Sequence, residues 1–421
     1  MKKILVTGLC LSRNLGGPAM ALTLSEQLHH RYPGIDIVFA VSPLDWEEEQ
    51  KWAGYYDVKV CRRTMMMETI RHNPLVQGVK NLLQRPTGLD TVPWTLVEEE
   101  FVEAMRSCDA VVCMEGISYV GDGAWDWRAA VNNYTYFHYA RRLGKPYCRF
   151  IQSFGPFDDR IVRWIARREL RHLPFIMARG RHAAESCRRL VPDAEVNNFP
   201  DIAILLPVAP ASWGETYLSG HGLMAGQYTV LAPSAVIANT VDRHRGKEHS
   251  AEYVECMRLI AERLLMGGEP VLLLPHMYSP HSIECDREVA RLIRAGLPAG
   301  APVQIVEDDL DVFQAKYLLA HARQCVVSRY HALVGAISTC VPAVALGWNV
   351  KYRDFMEFYN LGEMVLDARH LAPADGAKQT LDLLSHYTPE GISGMQSAHE
   401  DNAKLVLKAF ERLFQWMDHG L

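Results

Sequence analysis

The sequence predicts an α/β fold made of two Rossmann-like domains that face a cleft. The chain has 421 residues, more than a single hydrophobic core usually serves. Short apolar runs alternate with helical stretches along its whole length, the pattern of parallel strands joined by helices. One stretch rich in Gly, Ala, Ser and Pro, residues 208–227 ("VAPASWGETYLSGHGLMAGQ"), separates two such series. It reads as a linker, so the expected domains are 1–207 and 228–395, followed by a closing helix in 396–421.

In the first series, "KILVTG" (3–8) is an apolar run ending in glycine, the mark of a buried parallel strand. "GGPAMALTLSEQLHHRYPG" (16–34) reads as a helix, with Pro18 in its first turn and Pro33-Gly34 as its stop. "DIVFAVS" (36–42) is the next strand. Residues 46–96 mix polarity around Pro74, Pro86 and Pro93 and read as helices and loops. "CDAVVCMEG" (108–116) is a strand, 127–146 a helix, and "YCRFIQSFGPF" (147–157) a strand and turn. "RIVRWIARRELRHL" (160–173) is a basic amphipathic helix. In the second series "YTVLAPS", "PVLLLPH", "PVQIVE", "CVVSR" and "PAVALGW" are strands, and the segments between them carry helical spacing. The tail 401–420 is a last amphipathic helix.

Composition excludes several classes. Hydrophobic residues make up 49%, charged residues 22%, and the net charge is −5. This is an ordinary globular chain with no basic run that would bind nucleic acid by charge. No stretch reaches eighteen uninterrupted apolar residues, so no spanning helix is expected. "MKKILVTGLCLSRN" imitates a signal peptide, but Arg13 closes a short apolar core and no small-x-small site follows. The ten cysteines form no C-x-x-C pair, and several sit in apolar runs, as expected of reduced buried thiols in the cytoplasm.

Polar groups follow several apolar strands at once. "VLLLPH" delivers His276, "FIMAR" Arg179, "VVSRYH" Arg329 and His331, and "VALGWNVK" Lys351. In open parallel sheets such ends share one rim, where ligands bind. Arg, His and Lys without carboxylates in the same loops suit a multiply anionic ligand. Each has a plainer reading: a surface ion pair for Arg179, a helix-start filler for His331, an exposed cation for Lys351, core packing for Trp348. The turn "LSRNLGGPAMAL" offers Asn14, Gly16 and Gly17 at a helix start, where backbone N–H groups favour anions. "MEGISYVGDG" offers Glu115 and Asp122 for sugar hydroxyls, or as capping carboxylates in a tight turn.

Taken together these segments resemble the polysaccharide pyruvyl transferase family. The resemblance runs through "NLGGPA", "CDAVVCMEG", "IQSFGPF", "MARGRHAAES", "FPDIAILL", "LLLPH" and "SRYHALVGAISTCVPAVALGWNVKYRDFM". The last is the most specific, with Arg329, His331, Pro342, Trp348 and Lys351 in the family's order. Gly16-Gly17-Pro18 and Met114-Glu115-Gly116 depart from the family's usual glycine patterns, both on the acceptor side. The resemblance implies a GT-B-like fold whose closing helix packs back on the first domain. It also implies transfer of the pyruvyl group of phosphoenolpyruvate to a sugar as a ketal. His331 and Lys351 would then be catalytic, and Arg329, Arg179, His276, Asn14, Gly16, Gly17 and Glu115 would bind substrate. Phosphoenolpyruvate is the co-substrate, and no metal or other cofactor is required. The acceptor would be a polysaccharide sugar or its lipid- or nucleotide-linked precursor, in the cytoplasm or at the inner membrane face, leaving the oligomeric state open. Two alternatives stay open: a nucleotide-sugar glycosyltransferase, with Glu357 or Glu363 on the ribose, and an inactive sugar-binding member.

Overall fold

Strands buried on both faces must be apolar at every position, and here the continuous apolar runs become central strands. The computed structural model describes residues 2–12, 14–63, 99–120, 126–238, 248–278, 285–369 and 371–420. Asp122 and most of 46–96 lie outside them. Two compact units emerge, the first from residues 1–12, 20–199 and 407–421, the second from 13–19 and 200–406.

The first unit carries a five-stranded parallel sheet in the order β3-β2-β1-β4-β6. Its strands are β1 (Lys3–Thr7), β2 (Asp36–Val41), β3 (Lys59–Arg62), β4 (Ala110–Cys113) and β6 (Tyr147–Arg149). Leu5 pairs with Val38 on one side and Val111 on the other. The short pairs β5 (Ile117–Ser118) with β7 (Ser153–Phe154), and β8 (Ile176–Arg179) with β9 (Val196–Phe199), are also parallel. One core gathers Leu5, Phe101, Met105, Val111 and Phe137, and a second gathers Tyr119, Phe154, Val162, Ile165 and Leu170. The closing helix runs Pro389–Gly420, longer than the tail periodicity predicts. Its last turns supply this unit with Phe410 against Phe150 and Trp416 against Phe175.

The second unit carries six parallel strands in the order β12-β11-β10-β13-β14-β15. These are β10 (Thr229–Ala232), β11 (Val271–Leu273), β12 (Val303–Ile305), β13 (Gln324–Val327), β14 (Ala343–Gly347) and β15 (Val365–Asp367). Counted from β10 this is the 3-2-1-4-5-6 arrangement of a doubly wound sheet. The strand order reverses between β10 and β13, and crevices at that point hold ligands in such folds.

The linker expectation for 208–227 needs correction. Ala211–Gly220 is a helix within the second unit. Trp213 packs edge-on against Tyr317 at 5.9 Å, Leu218 is buried, and the Ala209 N–H donates to the Phe313 carbonyl at 3.0 Å. Aromatic burial outweighs the loop-like composition here. The strand-end loops carry the cations without carboxylates of their own; the carboxylates that pair with them come from distant segments, as described next.

Candidate active site

β13 ends at Val327, and Arg329 then N-caps the helix Tyr330–Ser338, which carries His331 in its first turn. This is the carboxyl end of a strand bordering the reversal point. Arg329 does not stand alone there. Its Nε lies 2.8 Å and its Nη2 2.5 Å from oxygens of Asp286, whose side chain is fully buried. The same carboxylate accepts the Ala235 N–H at 2.8 Å, from just past β10, and the His276 N–H at 3.2 Å, from just past β11. Asp286 therefore ties together the ends of three strands and fixes the guanidinium at the reversal point. A forked, charge-assisted pair of this kind orients Arg329 as well as partly offsetting its charge.

His331 faces a second buried carboxylate. Its Nε2 is 3.5 Å from Asp201 Oδ2, and the Asp201 side chain is only 1% exposed. The other Asp201 oxygen accepts the Ala203 N–H at 2.8 Å, capping the short turn Ile202–Leu205. The far end of that turn is held by Lys316, whose Nζ donates to the carbonyls of Leu206 at 2.5 Å and of Ala203 and Ile204 at 3.4 Å. Burial pushes the Lys316 ammonium down to about 8, opposed by the Asp201 charge. Sequence reading missed Asp201, Asp286 and Lys316. The first lies inside the quoted "FPDIAILL", but nothing in one sequence marks it as facing His331.

The Gly16 N–H donates to Asn14 Oδ1 at 3.0 Å, the Gly17 N–H to the Asn14 carbonyl at 3.1 Å, and the Leu15 N–H to the His276 carbonyl at 3.2 Å. The Gly16 and Gly17 amides thus close the turn on Asn14, and the Leu15 amide ties it to His276. What Gly16 provides is space. A Cβ there would lie 2.0 Å from His331 Nδ1. The imidazole is thus held between the Gly16 backbone and Asp201.

His276 is 4% exposed. Burial pushes its pKa down to about 3, with Arg329 and His331 adding to the fall against a hydrogen bond to Leu274. Near pH 7 this favours the neutral imidazole, which can take part in hydrogen bonds. His276, His331, Lys316 and Leu15 line a cavity of about 20 Å³, room for one water and too small for a phosphate ester. Lys351 begins the helix Lys351–Glu357, and its Nζ lies over the rings of Tyr330, Trp348 and Tyr352 at 5.2, 5.5 and 5.7 Å. Tyr352 in turn donates to the Ser328 carbonyl at 2.8 Å. Lys351 is thereby gathered around Tyr330, the residue between Arg329 and His331.

Glu115 and Arg179 belong to the first unit. Glu115 follows β4, beside β1, where that sheet also reverses order; a Cβ on Gly8 would meet its Cγ at 2.4 Å. Burial pushes the Glu115 carboxyl up, opposed by Arg149, Ser118 and Arg63. The fully buried Arg149 organises this loop. It pairs with the fully buried Glu169 at 2.5 Å and reaches Ser118 at 2.9 Å, Gln152 at 3.0 Å and Glu115 at 3.4 Å. Arg179 is 3% exposed and donates to the Gly116 carbonyl and to Ser153 Oγ, the latter at 3.2 Å. It braces the Glu115-Gly116 turn.

With the geometry in view, comparison with known proteins decides the family. Residues 14–350 match the family model for polysaccharide pyruvyl transferase. The chain belongs to the polysaccharide pyruvyl transferase family. Its fold is GT-B-like. Staphylococcus aureus MnaA with UDP is similar at a TM-score of 0.59 and 12% identity, covering 100% of this chain and 96% of that one. Methanocaldococcus jannaschii UDP-GlcNAc 2-epimerase, with UDP-GlcNAc and UDP, gives 0.56 and 12%, covering 97% and 100%. A UGT transferase of Siraitia grosvenorii with UDP gives 0.54 and 11%, covering 98% and 99%. At these identities the likeness shows the fold. Among the described residues no helix is long and apolar enough to cross a membrane.

Proposed function

We propose that this pyruvyl transferase family member moves the pyruvyl group of phosphoenolpyruvate onto two hydroxyls of a glycan-precursor sugar, forming a ketal. The observation that carries the reading is the placement of Arg329 and His331 at the order reversal of the second sheet, each backed by its own buried carboxylate. Arg329 and Lys351 supply the cationic contacts that the donor's carboxylate and phosphate need. His331 supplies a group that exchanges protons near neutral pH. In this reading His331 protonates the donor's methylene carbon, Asp201 stabilises the imidazolium, and the resulting oxocarbenium-like carbon accepts a sugar hydroxyl. The C–O bond to phosphate then breaks and the second hydroxyl closes the ring. Of the two hydroxyl protons, one ends on the new methyl group and one on phosphate, His331 being restored. Glu115, held above the ordinary carboxylate range, supports the acceptor side through hydrogen bonds to sugar hydroxyls.

The test is product analysis with each donor class. Phosphoenolpyruvate plus a glycan-precursor acceptor is expected to release inorganic phosphate and leave a pyruvyl ketal. Release of UDP from a UDP-sugar, with phosphoenolpyruvate unconsumed, would replace this reading with the glycosyltransferase one and point to Glu357 or Glu363. Inactivity with both donors would favour the sugar-binding reading.

Gly16→Ala gives a second expectation. Gly16 opens the helix Gly16–Arg31 without a left-handed backbone, so alanine fits the chain itself. The added methyl must displace the His331 ring, and misplacement of a catalytic group by about 1 Å costs on the order of a hundredfold in rate. Turnover should fall by about that factor, and the overpacking should cost roughly 1–3 kcal/mol of stability. Unaltered turnover would show that the ring's position is not critical.

A further inference from the structure

The helix Arg160–Leu170 has an outer face that the catalytic reading leaves unused. Val162, Ile165, Ala166, Glu169 and Leu170 are buried. The opposite face exposes Arg160, Arg163, Arg167 and Arg168, with Arg171 just past the end. In the middle of these cations Trp164 is 63% exposed and Ile161 is 53% exposed. The Arg168 guanidinium lies over the Trp164 ring at 5.6 Å and donates to Tyr134 Oη at 3.1 Å. The neighbouring His138 is pushed down by burial and by Arg142, Arg168 and Arg141, so those arginines crowd one patch. The helix's only carboxylate, Glu169, turns inward to Arg149, and Asp159 is consumed as the N-cap. At the edge an open pocket of about 290 Å³ is lined by Arg163, Arg189, Ser186, Phe157 and Asp158.

We propose that this face docks the protein on an anionic phospholipid surface. The chain as a whole is acidic, at −5, so an outer helix face carrying only cations is a local exception that selects a negative partner. Arginines reach lipid phosphates while an amphipathic indole sits at headgroup depth, and the combination marks interfacial helices. A second copy of the same face would be repelled. Docking concerns where the protein sits and takes nothing from the preceding reading.

The experiment is sedimentation of the full chain with vesicles of phosphatidylcholine, with and without phosphatidylglycerol, at low and high salt. Binding is expected only with phosphatidylglycerol and should weaken with salt. Each arginine near such a surface contributes a factor of about five, so Arg160→Gln/Arg167→Gln should bind about thirtyfold more weakly. Arg160→Lys/Arg167→Lys should keep most of the binding, and Trp164→Ser should weaken it. Circular dichroism confirms that each variant is folded. The proposal is overturned by no binding to phosphatidylglycerol vesicles, by equal binding to phosphatidylcholine alone, or by a folded glutamine variant that binds like the parent. Retention on heparin without vesicle binding also overturns it, in favour of a soluble polyanion. Vesicle binding involves no phosphoenolpyruvate, so loss of phosphate release with vesicle binding intact counts against the catalytic reading alone.

Discussion

His331→Asn is expected to lower turnover by about a hundred- to ten-thousandfold, the range for losing a general acid–base group, with affinity for phosphoenolpyruvate nearly kept. Asparagine preserves a polar side chain of similar reach between Gly16 and Asp201. It cannot carry a transferable proton near neutral pH. The companion change Asp201→Asn separates chemistry from positioning. Its amide oxygen can still accept the Ala203 N–H, so the turn Ile202–Leu205 should persist. The negative charge 3.5 Å from the imidazole is gone, and an opposite charge at that distance favours the protonated ring. The sign follows: without it the imidazolium loses its proton at lower pH. Turnover that needs the acid form should then decline at a lower pH than in the parent, and fall at neutral pH. A pH–rate profile and the ring-proton titration by NMR read this directly. If His331→Asn turns over within tenfold of the parent, or loses donor affinity in step with rate, His331 only positions the donor and Lys351 becomes the acid.

The second large effect is on stability. Asp286→Ala removes the partner of a guanidinium whose side chain is 11% exposed and orphans the Ala235 and His276 amides. Breaking one half of a buried ion pair costs about 3–5 kcal/mol. For a unit of this size that is a fall in melting temperature of roughly 6–20 °C. Arg329→Ala should lose a similar amount, because it strands the fully buried Asp286. It should also weaken donor binding by about ten- to a hundredfold, at about 1.5–3 kcal/mol for a charge-assisted contact. Calorimetric titration of folded Arg329→Ala measures that second effect alone. Unchanged donor binding would remove Arg329 from the donor site and leave its pairing with Asp286 as its role.

The parts legible in the sequence are those written locally. Buried parallel strands read as apolar runs, and β1, β10, β11, β13 and β14 lie in the runs identified. Arg329 and His331 were visible because strand, cation and helix start are contiguous. Asp286 was not, since it lies 43 residues from Arg329, and only the parallel order of β11, β10 and β13 brings them together. The same holds for Arg149 and Glu169, which look like ordinary surface charges in "YCRF" and "ARREL" yet are wholly buried. Short β3 was missed because "KVCR" has a single fully buried position. The segment 208–227 misled through composition, since glycine at 214 is there to admit the Tyr317 ring, which a Cβ would meet at 1.9 Å.

Neither unit is a continuous stretch of chain. The first is complete only when residues 407–421 join 1–12 and 20–199, bringing Phe410 onto Phe150 and Trp416 onto Phe175. During synthesis its first 199 residues leave the ribosome long before those aromatic groups exist. At about 5–20 residues per second the unfinished sheet waits on the order of 10–40 s with part of its core uncovered. Cutting the chain short before Leu407 should damage the amino-terminal half most, although the cut lies at the opposite end of the polypeptide.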